Sequence, residues 1–108
     1  MIIVAGTVTF DPVPTEALVA AVHTVSEATR SENGCISYEF FADLTRPGRL
    51  HLLEQWEEER HLSPHFETRH LADFYQQPPA AGPASRVITR YQVSSHGPNQ
   101  DGGKVQAE

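Results

Sequence analysis

Two hydrophobic patterns open the chain and predict a strand followed by a helix. Residues 2–10 are rich in β-branched side chains. The first of them are apolar at odd and even positions alike, as in a central strand that is covered on both faces. Residues 15–30 carry apolar side chains, including Leu18 and Val25, along one side of a helix, with charged residues opposite. Gly34 follows, and it suits the left-handed conformation that closes a helix.

Alternating apolar residues predict three further strands. Residues 35–42 alternate as one strand, and the Arg-Pro-Gly-Arg sequence at 46–49 fits a type II turn into a second strand over residues 50–56. The prolines of residues 78–83 cannot continue a helix and predict a surface loop. A last strand is predicted over residues 86–93, where apolar and polar side chains alternate again.

Between the third and fourth strands, a helical pattern carries several histidines. The Ser-Pro pair at 63–64 resembles a capping residue followed by proline in the first helical turn, which predicts a helix that starts at residue 64. Phe66, His70 and Phe74 recur every four residues and therefore share one side of that helix. His70 is predicted to face the core, whereas His65 is predicted to lie on the helix surface or at its cap.

The element order predicts an α+β fold of the ferredoxin-like βαββαβ type. Right-handed crossovers place both helices on one face of a four-stranded antiparallel sheet. We expect one domain over residues 1–95 and a polar tail over residues 96–108 that is flexible or held by a partner. Two helices leave the other, partly apolar face of the sheet uncovered, so a second copy of the chain is the expected cover.

Composition narrows the range of partners and locations. The chain has 14 acidic and 8 basic residues, a net charge of -6, and no basic cluster, so we expect no binding to nucleic acid or to an anionic membrane. No apolar run approaches the roughly 20 residues of a transmembrane helix, which predicts a cytoplasmic protein. The single cysteine, Cys35, cannot form an internal disulfide.

Several short motifs together resemble a known family. The sequence GCISYEF at 34–40, Glu-Gln-Trp at 54–56, and then His65 and His70 are similar to the antibiotic biosynthesis monooxygenase (ABM) superfamily of dimeric α/β barrels. The resemblance implies a homodimer with a pocket between sheet and helices in each subunit. It also implies oxidation of a small aromatic substrate, a quinol or an anthrone, by O2 without a cofactor, and a role for the strand tryptophan Trp56.

Three residues are candidate catalytic groups. His70 and His65 have the side chain best suited to taking a phenolic proton near neutral pH, although a histidine hydrogen-bonded in the core is the ordinary alternative for His70. Glu54 interrupts an apolar strand, and a buried carboxylate needs a partner. That partner is expected to be a residue such as Arg90 or Arg86, in a structural or intersubunit ion pair; otherwise Glu54 lies in a polar pocket with a raised pKa.

The aromatic residues predict a wall for a flat substrate, with simple core packing as the alternative reading. His61 and His65 have the spacing of a zinc-binding helix but lack the interposed glutamate and an evident third ligand, so we predict no metal. The absence of a cofactor is what the family resemblance implies. The predicted substrate-binding residues are Trp56, Tyr38, Phe66, Phe74 and Tyr75.

Two other functions compete with the monooxygenase hypothesis. A non-catalytic ligand-binding or stress-associated dimer would keep the fold without the chemistry. A haem-degrading monooxygenase is the third possibility, but the resemblance implies an asparagine on the first strand of such proteins. Here that strand has no asparagine and Thr7 lies in the region, which disfavours haem.

Overall fold

The computed structural model describes residues 1–11, 16–76 and 85–99. Its strands form one antiparallel sheet in the order β2-β3-β1-β4, which confirms the predicted ferredoxin-like α+β fold. The predicted loop at residues 78–83 and most of the predicted tail lie outside the described residues. The elements are β1 (Ile2–Thr9), α1 (Glu16–Arg30), β2 (Cys35–Ala42), β3 (Arg49–Trp56), α2 (Glu59–His65), α3 (Arg69–Tyr75) and β4 (Ser85–Gln92).

The core lies between the helices and one face of the sheet. Strand β1 is central, and its even-numbered residues Ile2, Val4 and Val8 are buried. Ile2 pairs with Trp56 across the β1–β3 ladder, so the two side chains point to the same face. The hydrophobic effect thus fixes the register, because a shift by one residue would turn this set toward the open face. The helices complete two buried clusters on this face: Leu62 packs with Ile2, Val4 and Trp56, and the second cluster, around Val8, contains Leu18, Val25, Leu71 and Phe74.

The β2–β3 hairpin contains the predicted type II turn. Gly48 has a φ of 85°, and the backbone N–H of Arg49 donates to the carbonyl of Arg46 over 3.1 Å. A β-bulge between Cys35 and Ser37 interrupts the alternation of β2. As a result Cys35 packs against the core, whereas Ile36 is exposed.

The prediction that the second helical segment starts at residue 64 is wrong. Pro64 is the next-to-last residue of α2, and α3 begins only after Thr68, whose backbone is extended with a ψ of 148°. Because Pro64 has no N–H to donate to the preceding turn, it weakens the helix at this point, and α2 ends one residue later. The N–H groups of Phe66 and Glu67 bond to the carbonyls of residues 63 and 64, which closes a turn between the two helices.

This turn also separates the aromatic residues that the sequence pattern placed together. Phe66 lies in the turn and is 62% exposed, whereas Phe74 in α3 is 2% exposed. The two residues do not share one continuous helix, so their spacing of eight says nothing about a common side. His70 was predicted to face the core because of this spacing. In the structure it is only half-buried, so the prediction is confirmed only in part.

The sheet face away from the helices carries several large apolar side chains. The ladders align Phe41, His51, Thr7 and Val87 in one row on that face, and Tyr91 lies on the same side of β4. Phe41, Val87 and Tyr91 are exposed. Among the residues described, no helix has the length and apolar character needed to span a membrane.

Candidate active site

His65 lies at the centre of the helix-facing side of the molecule. It is the last residue of α2, and its side chain is almost completely buried. Its ring centroid is 5.2 Å from that of Trp56 and 5.6 Å from that of Tyr38. The predicted surface or cap position of His65 is therefore wrong: the helix ends there, and the ring turns toward the sheet.

A carboxylate from another part of the chain holds this ring. Nδ1–H of His65 donates to Oε2 of Glu32 over 2.8 Å, and Nε2–H of His70 donates to the same oxygen over 2.6 Å. An ionised carboxylate only accepts hydrogen bonds, so both imidazole nitrogens are the donors. In neutral His65 this leaves Nε2 as the unprotonated, basic nitrogen.

Local structure explains how Glu32 reaches the two histidines. Glu32 lies two residues after the end of α1, in the turn that precedes Gly34. Gly34 has a φ of 82°, and a Cβ built on it would lie 2.1 Å from Cγ of His61. Only glycine accommodates both this backbone conformation and the close approach of α2.

Sequence reasoning missed Glu32, because the segment around it was interpreted only as the end of a helix. One signal was present. A negative charge just beyond a helix C-terminus opposes the helix dipole, and such a charge is favourable only with a specific partner. The partners, His65 and His70, are more than thirty residues away in sequence, so the signal identifies the residue but not its role.

Glu54 is the second buried acid of the site. Its Oε1 accepts a 2.9 Å hydrogen bond from the indole Nε1–H of Trp56. Burial raises the pKa of Glu54, while the indole hydrogen bond and the nearby His65 oppose this rise. Among the described residues no arginine pairs with Glu54; Arg90 instead pairs with Glu59 at 3.3 Å. A pairing of Glu54 with Arg90 or Arg86 of the same chain is thus wrong, and the alternative of a raised pKa describes the site within the chain.

A pocket of about 650 Å³ opens beside these groups. It lies between the sheet and the α2–α3 segment, and both His65 and Glu54 line it. Its walls are mainly aliphatic and aromatic, with two arginines from β4. The remaining lining residues are Val4, Tyr38, Leu62, Phe66, Leu71, Ala72, Tyr75, Arg86, Ile88 and Arg90.

The structure divides the five predicted substrate-binding residues into two groups. Tyr38, Phe66 and Tyr75 line the pocket. Trp56 is fully buried behind it and reaches it only through its contacts with Glu54 and His65. Phe74 packs in the core, where its ring lies 6.4 Å from that of Phe10.

His70 takes a different position from the other two candidate catalytic residues. Its side chain is 24% exposed, and it lines a smaller cavity of about 330 Å³ between α1 and α3 rather than the main pocket. Its link to the pocket runs through Glu32 and His65. A residue placed in this way is suited to position the base, or to exchange protons with solvent, rather than to touch a substrate.

Glu32, His65 and His70 together provide ligand atoms that could hold a metal ion. One ligand atom each from Glu32, His65 and His70 lie within 4.8 Å of one another, and two histidines with a glutamate are a common zinc set. The spacing of His61 and His65 did not identify this cluster. His61 packs against Gly34, and its Nδ1 is buried without a hydrogen-bond partner in the described part of the chain.

Two other ionisable side chains near the pocket stay protonated. Burial raises the pKa of the Tyr38 phenol and raises the pKa of the Cys35 thiol to about 11. Tyr38 can therefore donate a hydrogen bond into the pocket, and Cys35 behaves as a small apolar residue. At neutral pH neither group is a nucleophile.

Fold and site together define a class of protein: a small ferredoxin-like α+β domain with a carboxylate-bound histidine in the wall of an aromatic pocket. Comparison with known proteins gives the family. Residues 1–77 match the model of the antibiotic biosynthesis monooxygenase family, and the chain belongs to that family.

One relative of known sequence is the uncharacterized protein sll1783 of a Synechocystis strain, which is 36% identical to this chain over 78 residues. The matched segment is 72% of this chain and 53% of the relative, so the chain spans about half the length of that protein. The similarity supports the family assignment but carries no activity with it.

Solved structures of similar proteins share the fold. A protein from Deinococcus radiodurans proposed to be an antibiotic biosynthesis monooxygenase has a TM-score of 0.77 and 22% identity, with 92% of this chain and 98% of that chain covered. PA3566 from Pseudomonas aeruginosa has a TM-score of 0.73 and 24% identity, covering 86% and 94% of the two chains. Rv0793 from Mycobacterium tuberculosis has a TM-score of 0.74 and 22% identity, covering 88% and 96%. At these identities the likeness shows the fold alone.

Proposed function

We propose that this chain is a cofactor-free monooxygenase that oxidises a quinol, an anthrone or a related hydroxyaromatic with O2. One observation carries the proposal: His65 lines an aromatic pocket while its Nδ1–H is held by Glu32 at 2.8 Å. A histidine oriented in this way by a carboxylate is a recurring form of general base.

The first step assigned to the site is removal of a substrate proton. Nε2 of His65 accepts the proton from the phenolic oxygen of a quinol or from the acidic carbon of an anthrone. Glu32 keeps the ring in the required tautomer and balances the positive charge that develops on it. His70 shares the same carboxylate oxygen and helps to hold it in place.

The second step is reaction of the substrate anion with O2. For an anthrone, the carbanion transfers one electron to O2, and the resulting pair of radicals joins in a carbon–oxygen bond. The peroxide takes a proton back from His65 and then loses water to leave a ketone. The sum is CH2 plus O2 giving C=O plus H2O, so oxygen is the only oxidant and no external electron donor is consumed.

Glu54 is suited to stabilise the negative charge that develops on oxygen in this reaction. Burial raises the pKa of Glu54, and in its protonated form the carboxyl can donate a hydrogen bond to a developing oxyanion or peroxide. The indole of Trp56 fixes the orientation of that carboxyl through the 2.9 Å bond to Oε1. Trp56 is thus assigned a positioning role rather than direct contact with the substrate.

The proposed assembly is a homodimer in the cell interior. The sheet face away from the helices exposes Phe41, Val87 and Tyr91, and a second copy of the same face would remove them from water. Sedimentation of the protein at micromolar concentration tests this point. A monomer under those conditions would contradict the dimer while leaving the pocket chemistry open.

The function is tested by O2 consumption with anthrone in the presence of EDTA, with the uncatalysed oxidation subtracted. We expect anthraquinone to form at a rate that His65→Gln lowers by about 10²-fold or more. His51→Gln is the matched control, because His51 also bonds to a carboxylate but lies on the open face of the sheet. Anthrone binding without conversion by the wild type would overturn the proposal in favour of a non-catalytic ligand-binding dimer.

A further inference from the structure

We propose that the pocket selects an aromatic substrate that carries a carboxylate, and that Arg86 is the residue that binds it. The inference rests on the proposed function only in taking this pocket as the substrate site. It adds a substrate class, since a quinol or an anthrone need carry no charge. The argument uses the position of β4, the surroundings of Arg86 and the distribution of charge.

Strand β4 turns two arginines toward the pocket. The β1–β4 ladder pairs Arg86 with Val8 and Arg90 with Val4, and both valines lie on the helix-facing side of the sheet. Paired residues of neighbouring strands point to the same side. Arg86 and Arg90 therefore face the helices, and both line the pocket.

A close contact between backbones holds this part of β4 in place. Gly6 of β1 is paired with Ile88, which lies between the two arginines. A Cβ built on Gly6 would lie 2.1 Å from the carbonyl oxygen of Val87. The absence of a side chain at Gly6 thus lets β4 approach closely, so the two arginines project from a well-defined strand.

The two arginines differ in how their charges are satisfied. The guanidinium of Arg90 pairs with Glu59 at 3.3 Å. Arg86 has its guanidinium 4.4 Å from the centroid of the Tyr75 ring, and no carboxylate of the described residues lies within 4.0 Å of it. Stacking on an aromatic face orients the guanidinium and leaves its N–H edge available, and this edge matches a carboxylate in bidentate geometry.

The other charges in the pocket do not compensate Arg86. Glu54 is hydrogen-bonded to the indole of Trp56 and, among the described residues, forms no ion pair with Arg86. Glu32 is already bonded to two histidines. The chain as a whole has a net charge of -6, so the exposed guanidinium of Arg86 in the wall of this pocket is a local exception that favours an anionic ligand.

The position of Arg86 also indicates where the carboxylate lies on the substrate. Glu54, Val4 and Arg90 form one row across β3, β1 and β4, so the two outer residues of the row are about 10 Å apart at the usual strand spacing. Arg86 lies four residues further along β4. His65 packs against Trp56, the hydrogen-bond partner of Glu54, so the base lies at the Glu54 end of the pocket. We therefore expect the substrate carboxylate at the end of a fused ring system opposite the acidic hydroxyl or carbon that His65 deprotonates.

Calorimetry in the absence of O2 with two matched probes tests the inference without turnover, because the proposed reaction cannot proceed without its oxidant. The probes are 6-hydroxy-2-naphthoate, with hydroxyl and carboxylate at opposite ends, and 2-naphthol, which lacks the carboxylate. We expect the wild type to bind the naphthoate at least about tenfold more tightly than the naphthol. The ratio of the two dissociation constants should fall toward one in Arg86→Met, which keeps most of the aliphatic stem, and recover partly in Arg86→Lys.

The control variant is Arg60→Met, because Arg60 lies on the exposed side of α2, is paired with Glu58, and does not line the pocket. It should leave the ratio unchanged. Equal affinities for the two probes in the wild type, or an unchanged ratio in a folded Arg86→Met variant, would overturn the inference. If Arg86→Met does not fold, Arg86→Gln is measured in its place.

The same experiment separates this inference from the proposed function. Oxidation of neutral anthrone by the wild type together with equal binding of the two probes removes the carboxylate preference and leaves the monooxygenase. Selective binding of the naphthoate without oxidation of any hydroxyaromatic keeps the anion site and removes the monooxygenase. Each result therefore counts against only one of the two statements.

Discussion

Two histidine–carboxylate pairs in this protein have nearly the same bond and different surroundings. Nε2–H of His51 donates to Oδ2 of Asp43 over 2.9 Å, and Nδ1–H of His65 donates to Oε2 of Glu32 over 2.8 Å. The His51 side chain is 47% exposed, whereas that of His65 is 2% exposed. Bond length alone therefore does not distinguish a surface pair from a candidate catalytic pair.

The other bonds of each carboxylate show the difference in role. Oδ1 of Asp43 accepts from the backbone N–H groups of Thr45 and Arg46, so this side chain stabilises the turn of the β2–β3 hairpin. Glu32 instead accepts from two histidines on two different helices. Water competes for the first pair and is largely excluded from the second, where electrostatic interactions are stronger.

The largest expected difference between the pairs is in turnover. Glu32→Gln removes the negative charge that balances the imidazolium of His65, and we expect the rate of anthrone oxidation to fall by about 10²-fold or more. Asp43→Asn makes the same chemical change in the exposed pair and should leave the rate unchanged. Both variants are assayed by O2 consumption. Equal rates for Glu32→Gln and the wild type would mean that the buried pair has no catalytic advantage over the surface pair.

A smaller effect is expected on stability, from the turn that presents Glu32. Gly34→Ala places a Cβ at a positive φ and against the ring of His61, and we expect a loss of about 2–4 kcal/mol in the free energy of unfolding. Urea denaturation measures the change. Gly97→Ala is the control, because nothing lies within 4 Å of its added Cβ and its stability should match that of the wild type.

The smallest expected effect is on how folding stability changes with pH, and it has opposite signs for Glu54 and Asp43. Glu54 has a raised pKa in the folded protein, so its favourable contribution is present below the unfolded carboxyl pKa and is lost as the pH rises through the folded value. Glu54→Gln should therefore stabilise the protein at pH 8 by about 1 kcal/mol, with the gain shrinking as the pH falls toward 4.

Asp43 should behave in the opposite way. Its hydrogen bond with His51, followed by that with the Thr45 backbone, lowers the pKa of Asp43, so its contribution is present above the unfolded pKa and is lost in acid. Asp43→Asn should then lower the melting temperature at pH 7, and by less at pH 3. Melting curves across this pH range measure both variants. A constant effect of either substitution would contradict its shifted pKa.

Sequence periodicity was sufficient for the sheet but not for the site. The strands and their order along the chain follow from alternation and from the Pro-Gly turn, and right-handed crossovers then give the antiparallel sheet that the structure confirms. The α2–α3 boundary was misplaced, because a Ser-Pro pair resembles a helix start and yet Pro64 here belongs to the end of α2. His65 was misplaced for the same reason, since its direction depends on where that helix stops.

The parts of the site that the sequence did not predict depend on contacts between residues that are distant along the chain. Glu32 meets His65 and His70 only after the α1–β2 turn has formed, and no local pattern encodes that meeting. The position of Glu54 next to the indole of Trp56 follows from alternation on β3, but its partner was expected to be an arginine. Arg86 was considered only as that partner, and not as a group that faces the pocket.

The shared oxygen of Glu32 has a mechanical consequence. Helices α2 and α3 have seven residues each, too few to be stable in isolation, and the carboxylate ties the last residue of one to the second residue of the other. Phe66, in the turn between them, lines the pocket and packs against His65. We therefore expect a ligand that displaces Phe66 to disturb the hydrogen bonds that orient His65, so that molecules too large for the pocket would lose the alignment of the proposed base as well as clash with its wall.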